Sequence, residues 1–254
     1  MIYIKNLKFL ELTEFNGVIA IQNENSNKLL ASFFQFEIEN QDSIFRIEGT
    51  NVSIRNTIII DNLTKLSDLY SFSAKNILTK MILNDDKLEY GTFINIPYLV
   101  KELEKINNQI DPNFLNLNFD KSKLFKNLLD INQDAFINKD NLDKWLNNYG
   151  TDSSSKPIII LNNLDFVNFQ YLTKYLSKFY FIILTNNIFK VANNFDELEQ
   201  CAIVERNEGI CINSGLAIHN WVESEQNSSL EINESFNILK NDEFIQIKLK
   251  KYLI

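Results

Sequence analysis

The chain has 254 residues, 45% of them hydrophobic, enough for one large or two small domains with a sizeable core. A formal net charge of −8 excludes a surface that binds polyanions as a whole, so any nucleic-acid contact has to come from a local basic patch. A single histidine, His219, and two cysteines, Cys201 and Cys211, exclude a multi-histidine metal centre and a disulfide framework.

The N-terminal MIYIKNLKFLEL has no continuous apolar core of the signal-peptide kind, and no run of about 18 apolar residues follows, so a soluble cytoplasmic protein without a membrane partner is expected. Ile2 and Ile4 alternate as in a strand. Val18, Ile19 and Ile21, between Gly17 and Asn23-Glu24-Asn25, form a second, buried one. Ser26 is placed to cap a helix on which Leu29, Leu30, Phe33 and Phe34 recur at helical spacing, with Lys28 in its first turn. This is the layout of a phosphate-binding P-loop. With Lys28 at the P-loop lysine, however, the glycine positions hold Gln22 and Asn27, and the magnesium-binding hydroxyl is replaced by Leu29. Glycines let backbone N–H groups close round phosphates, and the hydroxyl holds the metal, so no nucleotide is expected here.

Strands follow at Ser43–Ile47, Val52–Ile54 and Thr57–Asp61, the last a buried parallel type, with a turn at Glu48–Asn51. From Ser67 to Asn148 the periodicity is helical. One helix carries Ala74, Leu78, Met81 and Ile82; a second starts near Pro97 and carries Leu99, Leu103, Ile106 and Ile110. Asp120 is placed to cap a third and Asp140 to start a fourth, with Leu142, Trp145 and Leu146. Asp130 to Asp134 imitates half of an EF-hand loop, but Ala135 replaces the turn glycine and Asn141 the bidentate glutamate, so these residues are expected at a helix end.

Gly150–Ser155 has linker composition, after which the β/α pattern returns. Pro157–Leu161 is a buried strand ending in Asn162-Asn163, where an ATPase would carry its Walker B acid; Asp165 is placed as an N-cap for a helix with Phe169, Leu172, Tyr175 and Leu176. Phe179–Leu184 is another buried strand. Lys190 after it lies at the same sheet end as Lys28 if the sheet is parallel. Two further strands near Ile203 and Ile210 carry the cysteines. His219, in AIHNWVE, is expected at the surface or its boundary, and the alternation at Leu230-Ile232 and Ile245-Ile247-Leu249 favours added strands. The fold class is therefore α/β: a head domain, residues 1–66 and 156–254, with a helical leg, residues 67–155, inserted in it.

Three stretches in this order resemble one family. SNKLLASFFQF is similar to its first helix, LNLNFDKSKLFKNLL to its alternating stretch leading into a helix, and KPIIILNNLDFVNFQYLTKYLSKFYFIILTNN to its strand–loop–helix–strand core. The family is the type II-A CRISPR-associated accessory protein of spacer acquisition, the Csn-two family, and the resemblance covers roughly residues 17–205. It implies a head like a degenerate P-loop ATPase and a helical leg. It also implies assembly as a homotetrameric ring that double-stranded DNA enters from free ends without being cut, calcium ions that stabilise the ring, and lysines on its inner surface. Other CRISPR adaptation proteins and the effector nuclease are the further partners it implies.

On this sequence the DNA-binding candidates are Lys28, Lys121, Lys123 and Lys190, and Asp120 is the one metal candidate. Asn116, Asn118, Lys121 and Lys123 stand where the relatives carry acids, which removes most of the oxygen ligands calcium wants. The expectation is a non-enzymatic binder of duplex DNA ends; the alternative is a catalytically inactive P-loop-derived scaffold that binds protein partners only.

Overall fold

A computed structural model describes residues 1–7, 10–12, 14–71, 76–83, 94–110, 115–118, 120–130, 135–149, 156–205 and 208–253. The 150–155 linker lies outside these, as do residues 131–134 of the EF-hand-like stretch. The chain divides into two compact units, Met1–Leu63 with Asn138–Asn147 and Thr151–Ile254, and Thr64–Ile137 with Asn148–Gly150.

The first unit is α/β. Its strands are β1 (Ile2–Ile4), β2 (Glu11–Leu12), β3 (Val18–Gln22), β4 (Phe45–Ile47), β5 (Thr50–Val52), β6 (Ile58–Asp61), β7 (Ile158–Asn162), β8 (Tyr180–Thr185), β9 (Cys201–Glu205) and β10 (Glu208–Cys211). They form a four-stranded antiparallel sheet, β2-β1-β4-β5, and a six-stranded sheet, β10-β9-β3-β8-β7-β6, in which only the β9–β10 pair is antiparallel. β3 is central: Val18–Gln22 pairs with Phe181–Thr185 on one side and Ala20–Gln22 with Cys201–Ile203 on the other. Strands this apolar on both faces have to be covered twice. On one face Ile19, Ile21, Ile160, Ile182 and Leu184 pack with Ile2, Ile4 and Phe45 of the small sheet and with Leu29 and Phe33 of α1 (Ser26–Asn40).

Helix α6 (Lys139–Asn148) falls within the stretch read as the inserted leg, yet all but its last residue belong to the first unit. Leu142, Trp145 and Leu146 are buried, Trp145 stacks on Phe179 at 6.3 Å, and Asp143 accepts from Lys174 and Tyr175. The second unit holds α2 (Leu66–Leu69), α3 (Ile77–Leu83), α4 (Ile96–Ile110) and α5 (Lys121–Leu128). Short helices α7 (Phe169–Leu172) and α8 (Phe195–Leu198) lie between the later strands. Asn168, not Asp165, caps α7, its side chain accepting from the Tyr171 N–H at 2.8 Å.

The tail after β10 is helical, not stranded: α9 (Gly215–Gln226), α10 (Ile232–Asn241) and α11 (Glu243–Leu253). Three alternating apolar residues do not separate the two periods, because Ile245 and Leu249 are also i and i+4 on one helix face, and these two are the buried ones. Leu230-Ile232 flanks a helix start, where Glu231 and Glu234 form a capping box.

Glu37 on α1 ties the small sheet to the helix. Its carboxylate accepts from the N–H groups of Ile44 (2.9 Å) and Ile54 (2.8 Å) and from the Ser53 hydroxyl (2.6 Å). Burial raises its pKa, but these hydrogen bonds outweigh burial and hold it below the usual glutamate value. A depressed folded-state pKa contributes stability above the unfolded value that is lost as pH falls through the folded one. Glu37→Gln is expected to cost about 2 kcal/mol in urea unfolding at pH 7. The gap to the native protein should close as pH is lowered below the normal glutamate range; a gap independent of pH would assign the cost to packing.

Candidate functional site

Sites in open parallel sheets form at the carboxyl ends of the strands. At that edge, the loop from β3 to α1 turns several of its backbone and side-chain polar groups onto the chain itself. The Asn23 N–H donates to Thr185 O (2.9 Å), the Asn23 amide to Val204 O (3.0 Å), and the Asn25 N–H to Asn23 Oδ1 (2.8 Å). Asn25 is the N-cap, correcting the expectation of Ser26: its Oδ1 accepts from the Lys28 N–H at 2.9 Å, and Ser26 is the first helical residue. The residues that stand at the P-loop positions in the sequence comparison sit at or under this edge. Gln22 Oε1 accepts from the Ile188 N–H (3.1 Å), Asn27 Oδ1 from the Asn162 amide (2.6 Å), and Ser26 Oγ from the Asn163 amide (2.5 Å), while Leu29 is buried in the core. Asn163 takes the left-handed conformation, φ 51°, that asparagine tolerates. A phosphate cradle needs backbone N–H groups aimed outward; the N–H groups of Asn23, Asn25, Lys28 and Leu29 are turned onto the chain itself.

The structure brings Lys28 and Lys190 to one edge. Lys28 is exposed in the first turn of α1, and Lys190 is exposed in the 3₁₀ turn Ile188–Lys190 that follows β8. Since β3 and β8 are parallel neighbours, both loops leave the sheet on the same side. Neither side chain makes an ion pair among the described residues. Lys28 lines a cavity of about 520 Å³ together with Glu24 and Glu205.

Lys121, Lys123 and Asp120 belong to the second unit. Asp120 does start α5: its Oδ1 accepts from the Lys123 N–H (3.1 Å), and its Oδ2 lies 3.7 Å from Lys123 Nζ. Lys121 is the first residue of that helix. No group of three or more His, Cys, Asp or Glu residues that could hold a metal ion occurs among the described residues.

Sequence reasoning missed α11. Lys250 Nζ sits between Glu205 Oε1 (2.6 Å) and Glu24 Oε1 (3.2 Å), and the Asn187 amide donates to Gln246 Oε1 (2.9 Å). Burial lowers the Lys250 pKa, but the hydrogen bonds it donates to Glu205 and Glu24 outweigh burial and raise it overall. The pairing of Ile245 with Leu249 as i and i+4 was the available signal for this helix. His219, expected at the surface or its boundary, is buried instead, in α9, with Nδ1 2.8 Å from Ser235 Oγ and Nε2 4.0 Å from Glu223. Ser235 is fully buried. Cys201 and Cys211 are buried and unpaired in β9 and β10, where burial raises both thiol pKa values. No helix among the described residues is long and apolar enough to cross a membrane.

No family model matches the chain, and no curated protein matches it. Among solved structures it is similar to Stu0660 of Streptococcus thermophilus, with a TM-score of 0.53 and 15% sequence identity over 82% of this chain and 75% of that one. At this identity the likeness is one of fold.

Proposed function

We propose that the protein binds the ends of double-stranded DNA without regard to sequence and without cutting them, in CRISPR spacer acquisition. The observation that carries this reading is the carboxyl edge of the parallel sheet: Lys28 and Lys190 stand there without an ion pair among the described residues, beside a βα loop that turns the N–H groups of Asn23, Asn25, Lys28 and Leu29 inward. The fold likeness to Stu0660 supports a distant link to the Csn-two family that the three sequence stretches resemble. Lysine, a flexible point charge, suits sliding contact with phosphates, and phosphate contacts carry no sequence information. The proposal extends, by the same resemblance, to a homotetrameric ring threaded by DNA, to Lys121 and Lys123 as further contacts, and to a cytoplasmic setting with other adaptation proteins and the effector nuclease. Calcium at Asp120 belongs to the same extension. There, the ion would have to compete with the Lys123 ammonium and the α5 cap. No nucleotide takes part in this reading.

One observation favours the second reading, a scaffold for protein partners. Helix α4 is amphipathic, yet Tyr98 (58% exposed) and Ile110 (60%) face outward.

A salt series of gel shifts tests both. Linear duplex is expected to bind and closed circular duplex to bind far less, with affinity falling steeply between about 50 and 200 mM salt. Equal affinity for the two forms would remove threading; no shift at low salt would remove DNA and leave the scaffold. Lys28→Glu and Lys190→Glu are each expected to weaken binding on the order of tenfold and to flatten the salt slope by about one. Phosphate release from ATP with magnesium should stay at background.

A further inference from the structure

Three loops at the carboxyl edge of the parallel sheet reach α11. Glu24 follows β3, Asn187 follows β8 and Glu205 ends β9, and these strands are neighbours in the order β9-β3-β8. Glu24 and Glu205 line the cavity beside Lys28, and both also line the adjoining depression with Ile247, Lys250 and Lys251 of α11. Without α11 the two carboxylates would offset the charges of Lys28 and Lys190, leaving an edge with no net attraction for a polyanion. The Lys250 ammonium bridges both carboxylates, and Lys251 is exposed beside it with no ion pair among the described residues. Charges this close interact within a Debye length of about 8 Å at physiological salt.

We propose that α11 is part of the polyanion-binding edge: Lys250 offsets one of the two negative charges of Glu24 and Glu205, and Lys251 adds a positive charge that meets phosphate beside Lys28. This rests on the duplex-DNA reading above and assigns a binding role to the C-terminal helix. Lys250 is a positioning residue by charge, and Lys251 is a contact residue. Helix docking does not depend on Lys250 alone. Ile245 and Leu249 are buried, Trp221 stacks on Tyr252 at 5.6 Å, and Gln246 Nε2 donates to Leu239 O at 2.6 Å.

The test measures anisotropy of a labelled linear duplex at about 50 and 150 mM salt. It compares the native protein with Lys28→Glu, Lys250→Ala, Lys251→Ala, the double variant Glu24→Gln/Glu205→Gln, and the triple variant that adds Lys250→Ala to that pair. Hydrogen exchange over residues 243–253 reports whether α11 stays docked. Lys250→Ala is expected to weaken binding on the order of tenfold, and the triple variant to regain most of the loss, because removing the carboxylates removes the need for the neutralising ammonium. The double variant should bind more tightly than the native protein, and Lys251→Ala should lower the salt slope by about one. If Lys28→Glu weakens binding while Lys250→Ala and Lys251→Ala change nothing, the role of α11 is overturned and the DNA reading stands. A Lys250→Ala loss that the triple variant does not recover, with α11 exchange raised in both, overturns neutralisation in favour of a purely structural tether. A native protein that binds no duplex at the lower salt overturns both readings.

Discussion

A parallel sheet covered on both faces delivers its strand ends to one edge, and every chain leaving that edge brings backbone groups that need partners. Here amide side chains meet that demand. Asn23 and Asn25 fold the β3–α1 loop onto itself, Gln22 holds the turn after β8, and Asn162 and Asn163 hold the start of α1. The same hydrogen bonds decide what the edge can do. With the N–H groups of Asn23, Asn25, Lys28 and Leu29 turned inward, the lysine ammonium groups are the exposed positive charges described at this edge. On the reading proposed above, phosphate recognition there is a matter of point charges on flexible stems, suited to a regular polyanion and poorly suited to gripping one nucleotide.

This division of labour also shows in which lysines are held. Lys5 is paired with Asp42, Lys174 with Asp143, and Lys248 with Glu225, and each ties together parts of the first unit distant in sequence. Exposed pairs of this kind contribute little stability individually, typically below about 1 kcal/mol, but they remove the ammonium group from other uses. Lys28 and Lys190 make no such pair among the described residues. The Glu24–Lys250–Glu205 bridge differs again, because one cation answers two carboxylates and leaves the trio with residual negative charge. The charge of the edge is therefore set by a helix that joins the sheet only at the end of the chain.

Much of the α/β architecture was legible in the sequence because it rests on long apolar runs. Ile158–Leu161 and Phe181–Leu184 have no polar residue to place on a solvent face, so they had to be interior strands and therefore parallel ones. The common edge of Lys28 and Lys190 followed from that topology. What was not legible depended on tertiary partners. Whether Asn25 or Ser26 caps α1 is decided by the contacts Asn163 makes to Ser26 across 137 residues. His219 looks like a surface residue until α10 supplies Ser235. The tail carries too few apolar residues for its period to be unambiguous, and α11 became helical because Ile245 and Leu249 had one common surface to bury against. A lysine bridge to Glu24 spans 226 residues and has no local signature at all.

An acidic protein with a locally basic edge behaves differently from a uniformly basic one. A net charge of −8 repels a duplex from most approaches, and that repulsion falls off over the same Debye length as the attraction of the lysines. On the duplex-DNA reading proposed above, productive encounters would be those in which the phosphates meet the basic edge before they meet the acidic surface. Under that constraint Glu24 and Glu205 are costly neighbours for Lys28 unless something offsets them, and a cation fixed by two carboxylates removes half of their charge without itself being free to wander. Lys250 is fixed in this way because burial of Ile245 and Leu249 sets where α11 lies, and the ammonium follows from the helix. Two apolar side chains in the last turns of the chain thereby set the electrostatics of an edge built from residues near its beginning.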